Sequence, residues 1–181
     1  MKNKKLIIVA VLMCSSLMTT GCLNFSGTSS TTTKVTVDDR SRLYENNDYS
    51  VKIPKEWDVI EPKDFTSEVP KETLVVFRNN IKNEDFTANV NIVRNNLQNP
   101  RETLDYAKEV INRQKTGLYD YKEAKRDLVK IKLGEKDVDT YYVEFEARRD
   151  PAQSIVKFYQ TFIVKGNNGY IIMGAVSSKE S

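Results

Sequence analysis

The fold is determined by the stretch SIVKFYQTFIVKGNNGYIIMGAVSS, residues 154–178 of the 181-residue chain. Its two halves, residues 154–165 and 170–177, are apolar at consecutive as well as alternate positions, so both faces of each predicted strand need cover. Between them, residues 166–169 (GNNG) have the composition of a tight hairpin turn. The stretch therefore predicts two antiparallel strands at the centre of a sheet.

Shorter alternating segments predict the other strands. Residues 73–78 (TLVVFR) and 86–94 (FTANVNIVR) are separated by a polar turn, which indicates a second hairpin. In residues 139–148, the alternate apolar side chains from Tyr141 to Ala147 share one face of the strand. The remaining predicted strands are 49–54 (YSVKIP), 57–60 as its short continuation, and 121–133.

A single helix interrupts the strands. Residues 99–102 (NPRE) supply an N-cap, a proline at the first helical position and an acid at the third, which is a capping-box arrangement. Gly117 is a plausible stop. The apolar residues at helical spacing are Leu104, Ala107, Val110, Ile111 and Leu118. The sequence thus predicts an α+β domain in which an antiparallel sheet packs with helices.

The N-terminus has the layout of an export signal. Lys2, Lys4 and Lys5 precede an apolar segment, residues 6–17, that is shorter than the ~20 residues of a membrane-spanning helix. The following Thr19-Thr20-Gly21-Cys22 resembles the lipobox of bacterial lipoproteins, although Thr19 stands where Leu is commonest. That resemblance implies a signal peptide over residues 1–21 and a diacylglyceryl group on Cys22. The alternatives are an ordinary signal peptide cleaved nearby or an uncleaved anchor.

Cysteine usage agrees with lipidation. The chain has two cysteines, and Cys14 lies in the segment that would be removed, so Cys22 would be alone in the mature protein. Two acyl chains hold a protein at a membrane far better than one. Residues 22–43, with a Ser/Thr/Gly run at 26–33, then form a flexible tether. We expect a domain over residues 44–181, anchored to the cell membrane on its extracytoplasmic face.

The charge balance argues against a nucleic-acid partner. The chain has 28 basic and 25 acidic side chains, but three of the lysines lie in residues 1–21. The mature chain therefore has a formal side-chain charge of zero. A basic excess would have indicated nucleic acid or anionic lipid, and here that excess belongs to the predicted export signal.

Several segments together look like the PsbP-like domains of the Mog1/PsbP superfamily. They are the opening YSVKIPKEW (49–57), TANVNIV (87–93), NPRETLDYA (99–107) and the closing GYIIMGAVSS (169–178). The resemblance covers nearly the whole mature domain and implies an antiparallel sheet packed between helices. Members mostly act as accessory or binding proteins and share no catalytic motif, so it implies no catalytic residue here and favours an envelope protein as partner.

The C-terminus departs from that resemblance, because similar domains usually end in a further helix across the sheet. Residues 177–180 (SSKE) have the form of a capping box, and the sequence ends one residue later at Ser181. Two expectations follow. Either the sequence is a truncated form that lacks the C-terminal helix, or a partner or second copy covers the exposed sheet face.

Composition excludes several kinds of chemistry. The chain has no histidine, which removes the commonest general base, the Ser/His triad and most zinc sites. With Cys22 used for lipidation, no cysteine nucleophile is left, and no glycine-rich phosphate loop is present. We therefore expect no catalytic residues, no cofactor and no metal.

Two groups of acidic residues are candidate sites. Asp137 and Asp139, near Glu135, carry oxygen ligands suited to calcium, but they lack the spacing of an EF-hand and are better explained as a polar turn. Glu144 and Glu146 lie two apart on one strand face and resemble the paired carboxylates of a hydrolase. The solvated side of a strand explains them equally well.

Tyr119 and Tyr121, after the helix, are suited to stacking on a sugar or binding a peptide, although we expect one or both to fill the edge of the core.

The function predicted from the sequence is a membrane-anchored extracytoplasmic lipoprotein that acts as a non-enzymatic binding or accessory module. The alternatives are a carboxylate-dependent hydrolase of cell-wall or extracellular material, and a purely structural envelope protein.

Overall fold

A computed structural model describes residues 6–8, 40–66, 69–81 and 86–179. The chain divides into two compact units. Within the described residues, the smaller unit comprises 6–8 and 40–55, and the larger comprises everything from Glu56 onwards. Cys22 and the predicted tether at 26–33 lie outside the described residues.

The smaller unit is a three-stranded sheet of β1 (Leu6–Ile8), β2 (Ser41–Glu45) and β3 (Tyr49–Pro54). The central strand β3 has the bounds that the sequence predicts, runs antiparallel to β2 and pairs in parallel with β1. The Asn46 side-chain oxygen shapes the β2–β3 turn, since it accepts hydrogen bonds from the backbone N–H groups of Asp48 and Tyr49 at 2.9 and 3.0 Å.

The larger unit is a seven-stranded antiparallel sheet in the order β4-β5-β6-β10-β9-β8-β7. Its strands are β4 (Asp58–Ile60), β5 (Thr73–Arg78), β6 (Asn89–Asn96), β7 (Tyr119–Leu133), β8 (Lys136–Arg148), β9 (Val156–Lys165) and β10 (Asn168–Ser177). A short 3-10 turn spans Pro62–Asp64. The central position predicted for the β9–β10 hairpin is confirmed, because β10 is the middle strand and β9 lies beside it.

Several details of the strand prediction change. Residues 57–60 were expected to continue strand 49–54, but β4 belongs to the other sheet and pairs with β5. The predicted hairpin of 73–78 with 86–94 is confirmed by the antiparallel pairing of β5 with β6, although β6 begins at Asn89.

The helix α1 spans Thr103–Gly117, so the predicted stop at Gly117 is confirmed. The predicted N-cap at Asn99 is wrong, because the N-cap is Glu102. The helix begins later than predicted because hydrogen bonds to other elements hold the residues before it in a non-helical conformation. The Leu97 N–H donates to the Asn167 carbonyl at 2.8 Å, in the β9–β10 turn. The Thr103 hydroxyl accepts from the Val164 N–H at 3.1 Å and so fixes the first helical residue on β9.

One face of the large sheet carries α1. Ala107, Val110 and Ile111 of the helix pack into a core with the predicted face of β8, which includes Val143 and Phe145. Burial of this kind contributes ~25 cal/mol per Å² of apolar surface. On the opposite face, β5, β6, β9 and β10 also bury apolar side chains: Val75, Phe77, Ile92, Ile163, Tyr170 and Ile172. The double-sided apolar pattern of the central strands reflects this burial on both faces.

The last strand ends at Ser177, whose hydroxyl accepts a hydrogen bond from the Lys179 N–H at 3.3 Å. Residues 180–181, on which the predicted capping box depends, lie outside the described residues. Within the ranges given above, no helix has the length and apolar character needed to cross a bilayer.

Candidate binding groove

A groove of about 670 Å³ lies between the end of β6, the loop that follows it, the first three turns of α1 and the turn before β5. We call it the basic groove. Its charged lining residues are Lys71, Glu72, Arg94, Arg101, Glu109 and Arg113, and its uncharged ones are Leu74, Asn95, Asn96, Leu97, Gln98, Asn99 and Tyr106. Four basic and two acidic residues line it, which corresponds to a formal charge of two positive units.

Backbone bonds fix the walls of the basic groove. The Arg94 N–H donates to the Glu72 carbonyl at 2.9 Å, which ties the end of β6 to the chain entering β5. On the other side, the bond from Leu97 to Asn167 holds the loop onto the β9–β10 turn. Because both walls are hydrogen-bonded to neighbouring elements, the groove is preformed, as ligand sites usually are.

Tyr106 forms the floor of the groove. Its side chain is only 1% exposed, and the Asn95 amide donates a 2.7 Å hydrogen bond to its hydroxyl oxygen. Burial raises the pKa of Tyr106 above its usual 10.0, against the lowering effects of the Asn95 bond and the positive charges of Arg113 and Arg101. The hydroxyl therefore stays protonated, and these charges lie close enough to act on it.

Gly169 makes room for the Tyr106 ring. A β-carbon at position 169 would lie 2.4 Å from Cζ of Tyr106, far inside van der Waals contact. The sequence suggested a turn role for both glycines of the GNNG segment, but only Gly166 has a positive φ, of 61°. Gly169 lies in β10, opposite Asn95 of β6, where close approach of the ring requires glycine.

Ion pairs line the helix side of the groove. Glu109 lies between two guanidinium groups, contacting Arg101 Nη1 through one carboxylate oxygen and Arg113 Nε at 3.9 Å through the other. All three side chains reach solvent, with 34% of Arg101, 47% of Glu109 and 61% of Arg113 exposed. Above the buried Tyr106, the groove thus presents guanidinium donors and amide groups, a set suited to binding an anion.

The predicted carboxylate pair lies elsewhere. Glu144 and Glu146 share the face of β8 opposite α1, as expected, where they pair with Tyr159 and Lys157 of β9. Both are partly exposed on that sheet face. On the same face, burial and the charge of Glu144 raise the pKa of Tyr142 to about 12.

Of the acidic residues that the sequence indicated as a polar turn, Glu135 lies in the turn between β7 and β8, whereas Asp137 and Asp139 lie in β8. Lys130 binds Asp139 at 2.7 Å, across the β7–β8 pair. Gly134, with φ of 66°, occupies the turn between β7 and β8. In the part of the chain that the structure describes, no group of three or more acidic, cysteine or histidine side chains is placed to hold a metal ion.

Tyr119 and Tyr121, the two tyrosines after the helix, differ in how far they are buried. Tyr121 plugs the edge of the core as expected, because its ring stacks on Phe145 with centroids 4.9 Å apart. Tyr119 is 53% exposed. Burial, together with the charge and hydrogen bond of Glu123, raises the pKa of Tyr121 to about 12.

A charged cluster beside Tyr121 was not foreseen. Glu123 accepts from Arg126 at 2.6 Å and from Lys115 of α1 at 3.2 Å. Burial raises the pKa of the Glu123 carboxyl, but the hydrogen bonds and charges of Arg126 and Lys115 outweigh it and hold the pKa below its usual 4.5. The cluster ties the end of the helix to the edge strand β7.

Sequence reasoning also missed the basic groove. The available signal was the polar run NNLQN, residues 95–99, bounded by Arg94 and Arg101 between a strand and a helix. Loops positioned by rigid elements are common binding sites. Its partners Lys71 and Glu72 come from more than 20 residues earlier in the chain, so only the sheet register brings the groove together.

The fold recurs in solved structures of low sequence identity. Cyanobacterial PsbP (CyanoP) from Synechocystis sp. PCC 6803 is similar with a TM-score of 0.52 at 14% identity, over 85% of this chain and 88% of that one. The Ran-binding protein Mog1p of Saccharomyces cerevisiae gives 0.51 at 14% identity, over 77% and 79%. PA94 from Pseudomonas aeruginosa, a protein of unknown function, gives 0.50 at 16% identity, over 78% and 85%.

Neither family models nor curated proteins give a match to the sequence. At these identities the structural likeness establishes the architecture alone. The chain therefore has the antiparallel-sheet fold of PsbP and Mog1, as the sequence predicted.

Proposed function

We propose that this protein is a lipoprotein, anchored through Cys22 on the extracytoplasmic face of the cell membrane, whose domain acts as a non-enzymatic binding or accessory module. The basic groove is the observation that carries the binding role. It is preformed, polar and rich in hydrogen-bond donors. A binding role also agrees with the fold, since one protein that shares it, Mog1p, is a Ran-binding protein.

The anchoring part rests on the N-terminal sequence. Three lysines, an apolar segment and Cys22 occur in the order of a lipoprotein signal. Lipidation also explains the lone exported cysteine. On this account, the chain between Cys22 and the start of β2 at Ser41 tethers the domain to the membrane, and the basic groove binds a protein of the cell envelope.

Metabolic labelling with a palmitate analogue tests the anchor. We expect label on the full chain and on Cys14→Ala, and loss of label and of membrane retention in Cys22→Ala. Cys14→Ala is the matched control because it removes the other cysteine of the chain. Equal labelling of Cys22→Ala and the parent chain would refute the anchor.

Site-specific photo-crosslinking in membranes tests the binding role. Gln98 lines the basic groove and is exposed, whereas Gln153 is an exposed glutamine in the β8–β9 loop, outside it. With benzoylphenylalanine at each position in turn, we expect discrete adducts from 98 and none of the same mass from 153. Identical patterns at both positions, or no adduct from 98, would refute a binding role for the groove.

A further inference from the structure

The charge of the basic groove indicates the chemistry of its occupant. Its lining is positive by two units, whereas the mature chain is neutral. The excess is therefore local to this surface, and an anionic ligand complements it.

The arginines of the groove already hold a carboxylate. Glu109 lies between Arg101 and Arg113, and all three side chains are at least one-third exposed. Exposed ion pairs of this kind contribute little to stability, because water screens their charges and the side chains lose freedom when they pair. A carboxylate from another molecule can therefore displace Glu109 from the guanidinium groups at little cost.

The rest of the lining suits a peptide. Asn96, Gln98 and Asn99 are exposed side-chain amides in the loop beside the arginines, and amides both donate to and accept from a peptide backbone. Two carboxylates, Glu72 and Glu109, also line the groove. They repel a continuous polyanion more than a chain in which acidic groups alternate with neutral amides.

We infer that the basic groove binds an acidic peptide segment of a partner protein, with Arg101 and Arg113 binding its carboxylates and Glu109 occupying those arginines when no ligand is present. This inference rests on the proposed function, since it names the ligand class of the same groove. Glu109 then acts as an internal competitor, which sets the affinity and rejects ligands that lack a carboxylate.

Fluorescence anisotropy with the full chain in detergent tests the inference. The probe is a fluorescein-labelled peptide of alternating Glu and Gly, compared with its Gln-Gly counterpart. We expect Glu109→Gln to tighten binding of the acidic peptide by roughly two- to fivefold, the value of one exposed ion pair. Arg101→Gln with Arg113→Gln should weaken it by about tenfold or more, because two charge-assisted contacts are lost.

Asp105→Asn is the matched control. It removes one negative charge from the same helix and breaks the Asp105–Lys108 pair at 3.3 Å, which lies outside the groove lining. At about 150 mM salt its effect should stay below about 1.5-fold, since exposed charges are screened beyond ~8 Å. Melting curves report whether each variant folds, and Arg113→Gln, at a 61% exposed side chain, replaces the double variant if that one unfolds.

Three results would overturn the inference: Glu109→Gln binding no tighter than Asp105→Asn, equal binding of the Glu and Gln peptides, or polyphosphate competing as well as the acidic peptide at equal charge. The photo-crosslinking at Gln98 separates this failure from that of the proposed function. Specific adducts without acidic-peptide binding would leave the binding role intact and refute only the ligand class.

Discussion

Substitution of Gly169 by alanine should destabilise the domain far more than its small size suggests. The added methyl carbon would lie 2.4, 2.6 and 2.9 Å from Cζ, Cε2 and Cε1 of Tyr106. Carbon atoms prefer separations of about 3.5–4.0 Å, so the ring must move by about 1 Å. It has little room to do so, because Tyr106 is 1% exposed and packs edge-on against Phe162.

Two terms set the size of the effect. Overpacking a filled core costs about 1–3 kcal/mol, and displacement of the hydroxyl from Asn95 loses a hydrogen bond worth ~1 kcal/mol. For a unit of this size, a total of about 2–4 kcal/mol corresponds to a fall in melting temperature of roughly 6–15 °C.

The same strand provides the control. A β-carbon at Gly174 would meet nothing closer than Val90 Cγ2 at 3.8 Å, which is ordinary contact. Gly174→Ala should therefore change the free energy of unfolding by less than ~1 kcal/mol. Thermal unfolding followed by circular dichroism measures both variants. A melting temperature for Gly169→Ala equal to that of Gly174→Ala would refute the steric reasoning, as would an equal cost of Gly169→Ala in a Tyr106→Ala background.

Three further predictions concern stability. Gln160→Ala should lower the free energy of unfolding in urea by about 2 kcal/mol, because the Gln114 amide loses the two reciprocal 2.9 Å hydrogen bonds that it forms with Gln160. Converting both residues to Leu should recover part of that loss. Thr140→Val should cost about 1–2 kcal/mol by the same assay, since the buried Thr140 hydroxyl donates to the Phe162 carbonyl at 2.9 Å, and a cost near zero would contradict this. The pKa of Tyr121 is raised from 10.0 to about 12, so it contributes stability that is complete below pH 10 and is lost as pH rises towards about 12. The melting temperature should fall over that interval by less in Tyr121→Phe than in the parent chain.

The sequence predicted the strands well because their burial leaves a direct pattern. Strand β3 was placed at its observed bounds, Tyr49–Pro54, and β5 at Thr73–Arg78. Each alternates buried and exposed positions, or nearly so, and a bounding polar or proline residue ends it. The double-sided apolar pattern of β9 and β10 likewise placed that hairpin at the centre of the sheet.

The start of the helix was missed because distant residues decide it. Asn99 and Pro100 carry a good local capping signal, yet the first helical residue is Thr103, whose hydroxyl bonds to Val164. Local propensity is a weak prior that tertiary contacts override. A sequence pattern reports which face is buried more reliably than where an element begins.

The basic groove shows the same limit at the level of function. Its residues come from the turn before β5, the end of β6 and the face of α1, and none of these segments contains a recognisable site by itself. The register of β6 against β10 places Asn95 opposite Gly169, and the missing side chain at Gly169 leaves the space that the Tyr106 ring occupies. A groove of this kind follows from strand pairing, which composition and spacing do not specify.

The likeness to PsbP and Mog1p, at 14% identity, establishes the fold of this chain but gives no information about the residues that line its groove. Gly169 and Tyr106 contribute both to the scaffold and to the groove. They pack against each other in the core, and Tyr106 also forms the floor of the groove. A variant such as Gly169→Ala is therefore expected to lose stability and binding together. Glu109→Gln should change the free energy of unfolding by less than ~1 kcal/mol and tighten binding, because its side chain is 47% exposed and its ion pairs are solvent-exposed. These opposite responses separate a groove that merely accompanies the fold from one that acts as a binding site.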